Sequence, residues 1–164
     1  MTVEAVERAR RAAALGRTDE ALAAVDGVLA ARPDQLDALL LKSRLLREGR
    51  RDEEALAVSR HAAAAWPRSS EALNAVARCL HAMGRDEEAL VPAQEARRLL
   101  AEGENFRQAA PVYLTLVWCL RELRRLREAV AMAEEGLART PDILLAEWAS
   151  QVEEELARSE RERC

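Results

Sequence analysis

The chain has 164 residues and a formal net charge of −4, with 33% charged and only 3% aromatic residues. An acidic balance with few aromatic side chains argues against nucleic-acid binding, which uses basic surfaces and stacking platforms. The longest apolar stretch, Val112 to Leu120, is far shorter than the roughly 20 residues of a membrane span, and residues 1–11 lack the apolar core of a signal peptide. We therefore expect no nucleic-acid partner and no membrane segment. Lys42 is the only lysine among many arginines, which favours a bacterial source with GC-rich codons.

Cysteines, histidines and glycines bear on chemistry and location. Cys79, Cys119 and Cys164 form an odd set without CxxC spacing, which is typical of a reducing compartment and predicts a cytoplasmic protein. His61 and His81 have no companion ligands at metal-site spacing, so we expect no metal and no cofactor. There is no nucleophile constellation and no glycine-rich phosphate loop in the sequence. We therefore expect a protein that is not an enzyme.

One short motif recurs along the chain. The segment 51–56 (RDEEAL) returns at 85–90 and, in weaker form, at 17–22 (RTDEAL), a period of 34 residues. Pro33 and Pro67 repeat with the same period. A fixed period of this length predicts a solenoid, in which each unit buries its apolar face only by stacking on a neighbour.

Within a unit, the pattern predicts two antiparallel helices. The first helix of the second unit carries a leucine stripe that begins at Leu36 and ends near Gly49. Asp52 then stands where an N-cap belongs, with acidic residues in the first turn, and the second helix ends near Trp66 and Pro67. The acidic motif is thus a helix start and not a catalytic pair.

These features resemble the tetratricopeptide repeat (TPR) family. The resemblance is carried by small residues in the first helix (Ala9, Ser43, Ala77), turn glycines (Gly16, Gly84), an alanine that opens the second helix (Ala21, Ala55, Ala89, Ala129) and closing prolines (Pro33, Pro67, Pro141). Slots that the family fills with large aromatic residues hold Ala12, Leu46, Leu80, Leu120, Val25, Ser59, Ala93 and Ala133. Arg50 replaces the turn glycine of the second unit, with Gly49 one position early.

The resemblance implies an all-α fold, a right-handed α-solenoid of antiparallel helix pairs. We predict four repeats over 2–143 (about 2–35, 36–69, 70–109 and 110–143), with a six-residue insertion in the third around 101–106, and a capping helix over 144–161. Thr140 is expected to cap that last helix, with Pro141 at its first position. Its predicted apolar stripe is Leu144, Leu145, Trp148, Val152 and Leu156.

In a TPR array the first helices line a concave groove, and residues in the same slot form columns. The predicted groove residues are Arg10, Arg44, Arg78 and Trp118 in one slot, Arg47, His81 and Arg121 one turn later, and Leu40, Asn74 and Leu114 one turn earlier. An arginine column suits the carboxylates of a peptide or helix from a partner protein. The alternative is that these arginines only form exposed ion pairs between repeats.

The function predicted first is a non-enzymatic adaptor that holds a peptide or helix of a protein partner, with an acidic segment expected, in this groove. The alternative is a self-associating module, motivated by the apolar segment 112–120 and by Trp148. Known TPR proteins that clamp chaperone C-termini use lysines and asparagines at slots filled here by Val6, Arg10, Leu41, Glu71 and Ala75. Because Glu71 would repel a carboxylate, that role is disfavoured.

Overall fold

The computed structural model describes residues 2–102 and 109–162, except for the side chains of residues 2 and 3. Within these ranges the chain is helical, without strands. The helices are α1 (Thr2–Ala14), α2 (Thr18–Ala31), α3 (Leu36–Glu48), α4 (Asp52–Ala65), α5 (Ser70–Ala82), α6 (Asp86–Glu102), α7 (Ala109–Glu122), α8 (Leu126–Arg139) and α9 (Ile143–Arg161). Successive helices pack against each other, and the odd-numbered helices α1, α3, α5, α7 and α9 contact their odd-numbered neighbours. This is an α-solenoid, as predicted.

The same turn joins α1 to α2, α3 to α4, α5 to α6 and α7 to α8. In each turn a backbone N–H donates to a carbonyl five residues earlier, at 2.8–2.9 Å (Arg17 to Ala12, Arg51 to Leu46, Arg85 to Leu80, Arg125 to Leu120). The preceding residue has a positive φ, which closes the helix end. Gly16 and Gly84 fill this position in two turns, whereas Arg50 and Arg124 adopt φ values of 60° and 59° in the others. Arg50 therefore takes the left-handed conformation itself, and Gly49 does not substitute for it.

The start of α4 differs from the prediction. The helix is capped by Arg51 without a side-chain cap bond, and Asp52 is its first helical residue. The Arg51 guanidinium forms a forked pair of 2.7 Å hydrogen bonds with Glu54 in the first turn. Arg85 with Glu88 and Arg125 with Glu128 repeat this fork. An arginine three residues before a glutamate thus organises these helix starts, and the Asp52 N-cap was wrong.

Small residues allow the helices to approach closely. The alanines at the predicted small slots are fully buried: Ala9, Ala21, Ala55, Ala77, Ala89 and Ala129. Ser43 is buried in the same kind of slot, and its hydroxyl donates to the Ala55 carbonyl at 3.1 Å. Among the residues that the structure describes, the buried ones form three clusters: an N-terminal one running from Val6 to Leu45, a small one of Leu39, Ala62 and Ala72, and a larger one running from Leu46 to Val152. Tyr113 is the largest fully buried side chain in the described ranges.

Helix α6 accounts for part of the predicted insertion. It has 17 residues, whereas α2, α4 and α8 each have 14. Pro92 lies inside α6. The rest of the predicted insertion, 103–106, lies outside the described residues. No described helix has the length and apolarity needed to cross a membrane.

Helix α9 packs on α7 and α8. Its N-cap is Asp142, whose carboxylate accepts a 2.9 Å hydrogen bond from the Leu145 backbone N–H, so the predicted Thr140 cap was wrong. Leu145 and Val152 are fully buried, but Leu144 is 47% exposed and does not belong to the apolar stripe. Helix α9 begins two residues after Pro141, so Leu144 stands in its first turn, while Leu145, Trp148, Val152 and Leu156 of the predicted stripe pack on the core.

The apolar segment 112–120 is part of the interior. Val112, Tyr113, Leu116 and Val117 are almost fully buried, as are most of their neighbours in α7. Their apolar character is therefore explained by packing within the chain, and it no longer motivates self-association.

Gly136 of α8 offers a test of this close packing. A Cβ atom there would lie 2.7 Å from both Leu145 Cδ2 and Tyr113 Cγ. We expect Gly136→Ala to lower the free energy of unfolding by about 1–3 kcal/mol, because an overpacked core strains its neighbours. Gly27→Ala is the matched control, since α2 has open space there, and it should stabilise by about 0.5–1 kcal/mol through helix propensity. Denaturant unfolding measures both, and equal effects would contradict the packing described here.

Tyr113 is the only tyrosine of the chain, so its ionisation can be followed without overlap. Burial and a 2.7 Å hydrogen bond from its hydroxyl to Glu135 raise its pKa to about 12. Because the folded pKa lies above the ordinary value of about 10, this contribution to stability is complete below pH ~10 and is lost as the pH rises towards 12. Absorbance titration should show late tyrosinate formation, and Glu135→Gln should make it earlier. Ionisation of the native protein near its ordinary pKa would contradict this prediction.

Candidate partner-binding cleft

A cleft of about 400 Å³ opens between the first helices of the successive pairs. Its lining comes from α1, α3, α5 and the start of α7: Arg10, Asp37, Leu40, Leu41, Ser43, Arg44, Arg47, Glu71, Asn74, Ala75, Arg78 and Pro111. The stacking of α1 on α3 and of α3 on α5 brings residues 34 positions apart onto one wall. Predicted groove residues from all three of these helices therefore meet at one cleft.

The outer arginines of the cleft are already paired with carboxylates. Arg10 lies 3.4 Å from Asp37 and 3.6 Å from Glu7, and Arg44 lies 3.9 Å from Glu48. These are exposed contacts, and contacts of this kind contribute little to stability. Arg10 therefore forms an ion pair between repeats with Asp37, whereas the pair of Arg44 with Glu48 lies within α3.

Arg47 and Arg78 differ from them. Neither guanidinium has a hydrogen bond or ion pair within residues 4–102 and 109–162. Arg78 is half-buried, and burial lowers its pKa from the ordinary value, with the positive charges of Arg47 and Arg44 acting in the same direction and Glu48 opposing them. Guanidinium donors of this kind are free to bind an anionic group that enters the cleft.

Asn74 adds a neutral polar group to the same wall. It is 6% exposed, and its side-chain oxygen has no hydrogen-bond partner in the part of the chain that the structure describes. A buried amide without a partner costs free energy in the empty cleft. A ligand that donates a hydrogen bond there would recover that cost. The cleft therefore combines cationic donors with a neutral acceptor that has no partner among the described residues.

No protein-family model matches the sequence, and no curated protein matches it. The fold is similar to that of TTC0263, a thermophilic TPR protein of Thermus thermophilus, with a TM-score of 0.82, 21% identity and coverage of 96% of this chain and 84% of that chain. It is also similar to PilF of Pseudomonas aeruginosa, with a TM-score of 0.82, 18% identity and coverage of 98% and 69%. The chain has the TPR fold.

An enzyme also contains this fold. The O-GlcNAc transferase of Thermobaculum terrenum matches with a TM-score of 0.69 and 22% identity, over 84% of this chain but 26% of that one. The shared TPR region is therefore a minor part of that enzyme's chain. The TPR fold alone assigns neither an activity nor a partner, and these must be argued from the side chains.

The remaining predicted groove residues do not line the cleft. Leu114 is buried in the core, and Pro111 of the same helix borders the cleft instead. Trp118 and Arg121 belong to a second group with Trp148 of α9, further along the TPR array. Trp118 and Trp148 meet edge to face with their ring centroids 6.0 Å apart, and the Arg121 guanidinium lies 5.5 Å above the Trp148 ring. Arg121 is also paired with Glu155 at 2.6 Å, so it is not a free cation.

His81 lies in this second group and has partners that the sequence did not reveal. Its ring stacks on Trp118 at a centroid distance of 5.9 Å, and its Nδ1 lies 2.5 Å from Asp86 Oδ1. Ligand atoms of His81, Asp86 and Cys119 all lie within 4.8 Å of one another. The sequence spacing gave His81 no companion ligand, but α7 brings Cys119 close to a histidine and an aspartate that flank the turn between α5 and α6.

The unpaired positive charge of Arg78 is expected to lower the stability of the folded protein, and a substitution can test this. We expect Arg78→Met to raise the free energy of unfolding by roughly 0.5–1 kcal/mol, which corresponds to a few degrees in melting temperature. The reason is that an apolar side chain of similar length replaces a half-buried cation that lies near two other arginines. Arg85→Met is the control, since it removes a forked pair with Glu88 and should not stabilise. Thermal unfolding measures both. A lower melting temperature for Arg78→Met would show that its guanidinium is satisfied within the protein.

Proposed function

We propose that this chain is a non-enzymatic protein-interaction module that holds an acidic segment of a partner protein in the cleft. The observation that carries the proposal is the pair of unpartnered guanidinium groups, Arg47 and Arg78, in a cleft that also contains an unpartnered buried amide, all judged within the described ranges. Side chains that cost stability in the free protein are expected where a ligand satisfies them.

The shape of the cleft favours a chain segment over a compact ligand. It is an open groove along stacked helices, and its wall includes apolar atoms of Leu40, Leu41 and Pro111 beside the cations. An extended peptide or a helix can place carboxylates on the arginines and apolar side chains on this strip. Asp37 and Glu71 lie on the same lining. They favour a segment with separated acidic residues over a dense acidic run.

The proposed class of partner follows from charge. The chain has a net charge of −4, so nucleic acid is repelled by the molecule as a whole, while a peptide meets only the local cations. We place the module in the cytoplasm. Cys79 and Cys119 are both buried and unpaired, which suits a reducing compartment.

Fluorescence polarisation with defined peptides tests this function. The probe is a labelled peptide that alternates glutamate pairs with leucine, and its matched peptide carries glutamine in place of each glutamate. We expect the acidic peptide alone to bind, with an affinity that falls as salt rises. Arg47→Gln/Arg78→Gln should weaken binding by at least about tenfold, since hydrogen bonds to charged groups contribute about 1.5–3 kcal/mol each.

A matched control distinguishes binding in the cleft from binding that depends only on net charge. Arg60→Gln/Arg127→Gln removes the same number of charges from α4 and α8, which do not line the cleft, and it should leave affinity almost unchanged. Equal losses in the two double variants would assign binding to overall charge. Failure of the acidic peptide to bind would remove the proposed cleft function. Light scattering on the same samples measures the molecular mass and thereby tests the alternative function, which is self-association into a homo-oligomer.

A further inference from the structure

A group of three metal-ligating side chains lies apart from the cleft lining. His81 comes from the last turn of α5, Asp86 is the first residue of α6, and Cys119 lies in the middle of α7. Asp86 and Cys119 are buried, and His81 is partly exposed. Their ligand atoms lie within 4.8 Å of one another. The group therefore joins two consecutive helix pairs at one point.

The chain contains an internal comparison for this group. One repeat earlier, Asp52 and Cys79 occupy the positions of Asp86 and Cys119, but Arg47 occupies the position of His81. In that earlier interface Cys79 Sγ lies 3.4 Å from the Ser43 hydroxyl, and Asp52 Oδ1 is buried without a hydrogen bond to any described residue. The aspartate and the cysteine thus recur with the array. At the later interface a histidine joins this pair, so that nitrogen, oxygen and sulfur donors lie together.

The surroundings fix His81 in a suitable orientation. Its ring is held on one face by Trp118, with an interplanar angle of 19°. Nδ1 is hydrogen-bonded to the Asp86 carboxylate at 2.5 Å, so this nitrogen faces the group, and an ion would take the place of the shared proton. A ligating histidine needs such orientation, because ring rotation otherwise costs affinity.

We propose that His81 Nδ1, the Asp86 carboxylate and Cys119 Sγ bind one divalent transition-metal ion of the zinc type. Imidazole, carboxylate and thiolate are all zinc ligands, and three protein ligands leave one position for water or an external ligand. Binding breaks the hydrogen bond between His81 Nδ1 and Asp86 Oδ1 and forms three metal–ligand bonds. The Cys119 thiol proton goes to solvent, and the imidazole proton moves through solvent from Nδ1 to Nε2, which leaves the Nδ1 lone pair for the ion. The ion's charge offsets two neighbouring anions that burial would otherwise disfavour.

The proposed ion would link α5, α6 and α7. Its binding free energy adds to the stability of the folded state, since the donors are dispersed in the unfolded chain. The proton on Cys119 opposes binding, because burial and the Asp86 carboxylate raise the pKa of this thiol well above its usual range. The ion must therefore displace a strongly held proton.

Cobalt(II) titration of the full-length protein tests the site. The background is Cys164→Ser, which leaves the two buried cysteines as the only thiols. We expect one equivalent of cobalt to produce a thiolate-to-metal charge-transfer band and to quench tryptophan fluorescence, because Trp118 stacks on His81. Zinc should abolish the band by competition and raise the melting temperature.

Three variants assign the ligands. Cys119→Ala should remove the charge-transfer band, and His81→Gln should weaken cobalt binding by about a hundredfold or more, at least the loss caused by removing an outer hydrogen bond of a metal ligand. Cys79→Ala, at the equivalent earlier position, should leave band and affinity unchanged. Circular dichroism confirms that each variant is helical. No band in the Cys164→Ser protein, or a band lost with Cys79→Ala, would overturn the proposal and leave His81, Asp86 and Cys119 as a hydrogen-bonded contact.

Discussion

The close approach of helix backbones at small residues is the constraint on which this structure depends. A single helix pair cannot cover its own apolar face, so each must press against the next. Ala55 and Ala89 are fully buried at such contacts, and a larger side chain there would separate the helices. Gly136 is the extreme case, since even one added carbon would touch Tyr113 and Leu145. Because the chain has few aromatic residues, packing relies on short distances and less on large buried surfaces.

The same contacts determine where charge can be placed. Stacking aligns equivalent residues of α1, α3 and α5 along one wall, and arginine in that slot becomes a row of cations. Arginines at the helix starts face carboxylates three residues away in the same turn. Arg47 and Arg78 have no such neighbour among the described residues. Arginine side chains thus differ in whether their charge is paired, according to whether their own helix supplies an acidic residue nearby.

The sequence predicted the helices, their pairing and the solenoid, because period, proline positions and apolar spacing are local signals. Side-chain contacts between elements were predicted less well. Asp52 was assigned as a cap although the helix starts at that residue, and a shift of one position is within the ordinary uncertainty of helix ends. Leu114 shares its slot with Asn74 and is equally buried, but only Asn74 lines the cleft. The neighbours of His81 come from two other helices, α6 and α7, and the insertion between those helices shifted the register from which they could have been predicted.

The division of the core has a consequence for how the module opens. Leu45 and Leu46 are adjacent in sequence, yet Leu45 belongs to the N-terminal cluster and Leu46 to the larger one. Partly buried Leu22 touches both clusters and bridges them. In a stacked array each layer is stabilised by its neighbours, so the end layer with the smaller core opens first. Arg10 would leave with α1 in such an opening, whereas Arg47 and Arg78 would remain on the folded part. The wall of the cleft that α1 provides is therefore the part expected to open first.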